Sequence, residues 1–420
     1  MKFQDFKGYN RPTASEMKIK KCRSCNSKNL INIISLGNQY LSDFTKINRK
    51  PRSFPLSIVL CKKCFLVQLD YTTPAKYLYT ERYGYKSDIN QTMQNELKEI
   101  TQKALKRIKT KTKDTVVVDI GANDGTLLKN YPKNIYRIAV EPITKFAKES
   151  QKNTNKVIND FFSYASYQKV VKDVKADIVT AISCFYDMAE PNKFIEDVKK
   201  IMKDDGIFII QQNYLVEMLK QSAFDNIVHE HLEYYSLLSL NNLLEKHNLE
   251  VFDLEERELN GGSFRTYITT KGKRKITKAV LKMESQEKRL KLNNRKVYLN
   301  FAKKIKNNKE KILNFVKKES KKGKLIYLYG ASTRGNTLLQ YFKLDHTLIK
   351  KAVERNPEKW GKMISSMGIP IISEEQARKE KPDYMLVLPW FFKQEFLQRE
   401  KKYLDNGGHF IFPLPKFTVI

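Results

Sequence analysis

The feature that most constrains this chain is an uninterrupted apolar run, Thr115-Val-Val-Val, that leads directly into an acidic glycine loop, Asp119-Ile-Gly121-Ala-Asn123-Asp-Gly125. A β-branched run of this kind suits a strand covered on both faces, and the glycines let the backbone turn tightly and come close to a ligand. YRIAVEP, ADIVTAIS and GIFIIQ read as three further strands with helix-like stretches between them, which predicts a parallel sheet with both faces covered. Glu141 closes the second of these strands about 20 residues beyond the loop, where a carboxylate can accept both hydroxyls of a ribose. The dinucleotide fingerprint G-x-G-x-x-G is not met, because Asn123 stands where the second glycine would admit a pyrophosphate. S-adenosylmethionine (SAM) has no phosphate and carries ammonium and sulfonium charges, so it suits both this loop and Asp119 better than a nicotinamide cofactor. Asp160 and Phe161 near the next strand end, with Ser183 after ADIVTAI, complete the cofactor-binding candidates. The alternative is a structural glycine turn.

Four of the five cysteines form two pairs, Cys22-x2-Cys25 and Cys61-x2-Cys64, and Cys184 stands alone. The opening MKFQDFKGYNRPT lacks the apolar core of a signal peptide, and no stretch approaches the roughly 18 apolar residues of a membrane span. A cytoplasmic location follows as the expectation, and in a reducing compartment this spacing points to metal rather than disulfides. Four thiolates suit Zn2+ at about 2.3 Å, in a closed and therefore structural site that leaves no position for substrate. Cys184 reads as buried filler near the ligand end of a strand.

At 420 residues, 41% of them hydrophobic, the chain exceeds one core, and a prior of roughly two to four domains applies. Residues 1–70 read as a zinc-binding unit, 71–111 as a helical connector and 112–276 as the glycine-loop domain. Residues 277–322 read as one connecting helix with an apolar stripe of Leu290, Val297, Phe301, Ile305, Ile312 and Val316, and 323–420 as a second α/β domain. The net charge of +32 would attract phosphates or anionic surfaces, yet the lysines are spread along the chain and read first as a solvated surface.

Polar chemistry is densest in FDNIVHEHLEYYSL, where His229 and His231 flank Glu230. A histidine can remove a proton near neutral pH, and alternate positions of an extended segment would put both imidazoles on one face. The spacing is not that of an H-E-x-x-H metal site, and satisfied structural histidines are the alternative. Asn260-Gly-Gly-Ser-Phe-Arg265 is a turn into a strand. Gly330-Ala-Ser332-Thr-Arg334-Gly-Asn336 follows a strand and opens a helix, so it could cradle a diphosphate, although Asn336 stands where a P-loop has lysine. A glycine-eased packing turn would explain it equally.

Taken in order, the four-cysteine unit, DIGANDGTLL, VEP, HEH, NGGSFR and YGASTRGNTLLQY resemble, over nearly the whole chain, the SAM-dependent C-methyltransferases of nucleotide-linked deoxysugars. The resemblance implies an α/β fold: a Rossmann-like class I methyltransferase domain between a four-cysteine zinc-binding domain and a second Rossmann-like domain. It implies a 4-keto sugar on a nucleoside diphosphate as acceptor, structural zinc, and His231 as the base with Glu230 beside it. His229, Tyr83 and Tyr85 are then candidate donors to an enolate oxygen, and Asn260, Arg265, Gly330, Ser332, Arg334 and Asn336 candidate substrate contacts. Two positions depart from the family pattern and suggest a divergent branch: Val228 replaces a tyrosine before HEH, and Asp187 in SCFYDMAEP replaces a histidine after the fourth strand. Asp187 or Tyr186 could supply the missing functions, and O-methylation of a sugar stays open. Rival readings are a zinc-ribbon RNA or DNA methyltransferase and a non-catalytic nucleotide-sugar sensor. The first lacks an N/D-P-P-Y/F/W tetrapeptide, so nucleic acid is disfavoured as a partner; no membrane partner is expected, and the oligomeric state is not legible.

Overall fold

The computed structural model describes residues 17–47, 49–80, 84, 86–89, 91–109 and 113–420. Its central sheet has seven strands: β1 (Val116–Ile120), β2 (Tyr136–Val140), β3 (Lys156–Ile158), β4 (Ala176–Ile182), β5 (Met202–Asn213), β6 (Leu249–Arg257) and β7 (Ser263–Thr270). They lie in the order β3-β2-β1-β4-β5-β7-β6, with β1 buried along its whole length. The first five run parallel, while β7 is antiparallel to both neighbours. The four strands read from the sequence are parallel as expected, and β6 and β7 add an antiparallel extension at one edge. The physical reason is the short NGG connection, which can only join β6 and β7 as a hairpin. Strand order reverses between β1 and β4, so a crevice opens at their carboxyl ends, the position where open α/β sheets bind ligands.

The N-terminal sheet pairs Leu30–Tyr40, Ser53–Cys61 and Val67–Leu69 with a fourth strand, Glu233–Tyr234, taken from the chain just after HEH. The C-terminal sheet is built on parallel strands Ile326–Tyr329, Lys351–Glu354, Ile369–Ser373, Tyr384–Val387 and His409–Phe412. Its edge strand Met363–Ile364 pairs with Phe44–Thr45 of the N-terminal unit. One apolar core runs from Leu56 and Ile58 through Leu215, Phe224 and Ile227 to Ile326, Leu338 and Phe342. The segment carrying HEH is therefore walled by all three sheets.

Helical expectations need two corrections. The connector is only partly helical, with a short helix Ala75–Leu78 and a long one, Gln91–Arg107, that buries Met93, Leu97, Ile100 and Ala104. The single helix expected over 277–322 is two, Lys278–Leu290 and Arg295–Lys321. Lys291 turns left-handed at φ +52° and Asn294 caps the second helix by accepting the Lys296 amide at 3.0 Å. Phe301, Ile305, Ile312 and Val316 form the buried stripe, but Leu290, on the other side of the break, is 44% exposed. Among the described residues no helix is long and apolar enough to cross a membrane.

Behind the sheet, the Arg265 side chain is completely buried, donating to Glu96 and to Gln211, each at 2.7 Å. Glu96 also accepts Arg257 at 2.6 Å. Removing one partner of such a buried set leaves an uncompensated charge and costs about 3–5 kcal/mol. Glu96→Ala should lower unfolding free energy by that order in urea titrations, with the transition remaining cooperative.

Candidate active site

The β1 loop forms one wall of the crevice. Gly121 has φ +72°, and a Cβ there would lie 3.1 Å from the Cys184 Sγ, so the loops after β1 and β4 almost touch. At φ +80°, Gly125 approaches the Ser150 backbone so closely that a Cβ would sit 3.0 Å from its Cα. Asp119 is 3% exposed and accepts the Thr180 hydroxyl at 2.6 Å; burial, helped by the charges of Glu141 and Asp124, pushes its carboxyl up to about 7. Glu141 accepts the amides of Asn123 at 2.9 Å and Ile143 at 2.8 Å, and burial likewise raises it. The Asn123 side chain accepts the Ser87 amide and Asp124 the Asp88 amide, which pins the entry to the long connector helix over the loop. Asp160 is exposed and bonded to the Phe161 amide, while Phe161 lies edge-on to Tyr79 at 5.9 Å. Ser183, left-handed at φ +56°, donates its amide to Gln211. Two acids, Asp119 and Glu141, lie buried behind the glycine cradle, a donor set whose chemistry would suit the positive charge and ribose of SAM.

The opposite wall is the HEH segment, and here the structure departs from the extended geometry expected. Residues 223–232 form successive turns, with the His231 amide donating to Val228 O at 3.1 Å, so the two imidazoles diverge. His229 is buried and donates Nε2–H to the Phe54 carbonyl at 3.2 Å, which makes it a tie to the N-terminal unit. His231 donates Nδ1–H to the Asn226 carbonyl at 2.9 Å and lies 4.4 Å from the Tyr186 ring. A carbonyl can only accept, so Nε2 keeps its lone pair. Burial, then the charge of Arg334, lowers this ring to about 3. Burial raises the neighbouring Glu230 carboxyl. Tyr83 and Tyr85 lie outside the described residues, and Val228 is buried.

Each of the six substrate-contact candidates has a contact within the protein. Arg334 pairs with the fully buried Asp225 at 2.7 Å and donates to the Asn260 carbonyl at 2.7 Å. A Cβ on Gly261 would meet the Trp390 ring at 3.1 Å, so NGG is a joint between the central and C-terminal sheets. Arg265 points into the ion network behind the sheet. Asn336 accepts the Ser366 hydroxyl at 2.5 Å within the C-terminal domain, and Ser332 caps its own helix by accepting the Gly335 amide at 3.0 Å. Gly330 packs on Pro389, and the next amide, that of Ala331, is taken by Glu354 at 3.0 Å. Sequence reasoning passed over Asp225, Asn226 and Tyr79, although the first two lie in the FDN that immediately precedes the histidines.

The four paired cysteines have their Sγ atoms within 4.8 Å of one another, with Cys22–Cys64 at 3.5 Å and Cys25–Cys61 at 3.4 Å. A tetrahedral Zn2+ with bonds of about 2.3 Å requires sulfur separations of about 3.8 Å, so the cluster fits a closed zinc site. Gln68 donates to Cys22 Sγ at 3.2 Å, and the neighbouring Ser24 carbonyl accepts Asn192 at 2.8 Å, which docks the knuckle on the central domain.

Three family models match successive parts of the chain: a zinc binding domain over residues 22–79, a methyltransferase domain over 89–254, and a C-methyltransferase C-terminal domain over 258–415. The C-methyltransferase NovU of Streptomyces niveus is 29% identical over 409 residues, covering 96% of this chain and 97% of that protein. Among solved structures, a SAM-dependent methyltransferase of Clostridium acetobutylicum aligns over 44% of this chain and 94% of its own, at 12% identity and a TM-score of 0.34. One from Leishmania major aligns over 42% and 73%, at 12% identity and a TM-score of 0.33.

Because the metal ties the knuckles together, its removal should be felt in the fold. Elemental analysis should find one zinc per chain, and a strong chelator at neutral pH should release it and lower the thermal midpoint. Cys64→Ser should purify metal-poor with a similarly lowered midpoint.

Proposed function

Given that the chain belongs to the SAM-dependent C-methyltransferases that join a zinc-binding domain, a methyltransferase domain and a C-methyltransferase C-terminal domain, we propose that its acceptor is a nucleotide-linked keto sugar and that His231 is the base. The observation that carries this reading is the Nδ1–H···O bond from His231 to Asn226, which leaves Nε2 as an acceptor beside the loop after β4. Among the described residues no donor reaches Nε2. SAM, when bound, supplies an electrophilic methyl group. A ketone acidifies the C–H next to it; His231 takes that proton and the resulting enolate carbon is the nucleophile. Burial and then Arg334 hold His231 neutral, and a sugar diphosphate drawn toward Arg334 would offset the second of these and raise the ring's basicity when substrate is bound.

In this reading residues 112–276 hold SAM through Asp119, Gly121, Asn123, Gly125, Glu141, Asp160, Phe161 and Ser183. Residues 323–420 hold the nucleotide near Gly330, Ser332 and Arg334, and 1–70 form the zinc unit. Metal-binding thiolates suit a reducing, cytoplasmic setting. Asn260, Arg265, Asn336 and His229 act as supports, since each is bonded within the protein.

His231→Asn should leave SAM affinity nearly unchanged in calorimetry while lowering methyl transfer by about 10²–10⁴ and abolishing solvent exchange of the acidic sugar C–H. Retained exchange rules the base out. The raised Asp119 predicts a second effect. Its carboxyl is neutral below about 7, and the ionised form attracts a cation better, so SAM affinity should rise as pH climbs through that value and Asp119→Asn should flatten the profile.

A further inference from the structure

Resting on the enolate reading above, we propose that the Asp187 carboxyl meets the carbonyl oxygen of the acceptor and hydrogen-bonds the enolate oxygen that forms there. Asp187 ends the one-turn helix Phe185–Asp187 after β4, at the strand-order reversal. The residue before it, Tyr186, touches the His231 ring at 4.4 Å, and Cys184 of the same loop faces Gly121 of the donor loop. The loop that carries Asp187 therefore reaches the glycine cradle through Cys184 and the base through Tyr186.

Its two oxygens differ. Oδ2 accepts the Tyr79 hydroxyl at 3.1 Å, whereas Oδ1 is buried and has no hydrogen-bond partner among the described residues. The groups facing it are Glu230, Glu233, Tyr234, Cys184 and Tyr79. None is a cation, and burial together with the Glu230 and Glu233 charges raises Asp187 well above the carboxylate range. A protonated carboxyl in such a place is a donor that needs an acceptor, and leaving it unmade costs about 1–3 kcal/mol. Carbonyl oxygen is that acceptor. As His231 Nε2 takes the C–H proton, the C–H electron pair moves into the carbon–carbon bond and the carbonyl pair onto oxygen, where the Asp187 O–H stabilises it. When the carbon bonds to the methyl group and the methyl–sulfur pair stays on sulfur, the carbonyl re-forms. Asp187 ends with its proton and His231 passes its own to solvent.

Three variants and one spectrum test this on the full-length enzyme with nucleoside-diphospho-4-keto-6-deoxyhexoses. Asp187→Ala should slow sugar C–H exchange and methyl transfer by about 10²–10³, while Asp187→Asn, which keeps an N–H donor of the same shape, should stay within about tenfold and lose the alkaline limb of the pH profile. With S-adenosylhomocysteine bound, the Asp187 ¹³Cγ resonance, recognised by its absence from Asp187→Asn, should titrate well above the ordinary carboxylates. Wild-type rates in Asp187→Ala, or a ¹³Cγ signal that titrates with the ordinary carboxylates, overturns the inference. If His231→Asn abolishes exchange while Asp187→Ala does not affect it, Asp187 alone fails; if His231→Asn exchanges normally, the enolate reading itself fails.

Discussion

One buried carboxylate organises the junction of this molecule. Asp225 is 0% exposed and is met by the Arg334 guanidinium at 2.7 Å and by the Trp390 indole N–H at 3.2 Å, both from the C-terminal domain. A charge so deep is tolerable only when paired. The ion pair therefore fixes where the C-terminal sheet sits against the central one, and with it the turn at Asn226 whose carbonyl orients His231.

The same junction explains why so many polar groups lie in one small volume. Asp119, Glu141, Asp187 and Glu230 are all raised by burial and His231 is lowered. Perturbation of both kinds around a crevice marks chemistry more than stability. By contrast, the Glu96, Arg257 and Arg265 set behind the sheet pairs its charges with one another and serves the fold. The zinc unit supports the site at one remove: its third strand, Val67–Leu69, pairs with Glu233–Tyr234, so folding the knuckles holds the far end of the HEH segment in place.

Much of this was legible in the residues. Cys-x2-Cys twice, the strand-to-glycine loop and Glu141 each depend on neighbours close in sequence or on a single ligand, and each appears where the pattern put it. Alternation would put His229 and His231 on one face only if the chain were extended there. The turns at Asn226 and Val228 send the rings apart, and those turns exist because the segment packs against three sheets at once. Arg265 and Asn336 are candidate ligand contacts through the family resemblance, yet each has a partner from another element, Glu96 and Ser366.

Sequence by itself determined the local chemistry: four thiolates at metal spacing, a glycine loop free of a phosphate signature, and an imidazole between acids. These rest on spacing and covalent residue type, which are written along one dimension. Only tertiary structure decided which histidine meets the loop after β4, which arginine is bound to Asp225, and that the loops after β1 and β4 converge. Those outcomes depend on contacts between separate elements, 109 residues apart for Arg334 and Asp225 and 64 for Cys184 and Ile120, where burial and partner geometry, not neighbouring sequence, set the energy.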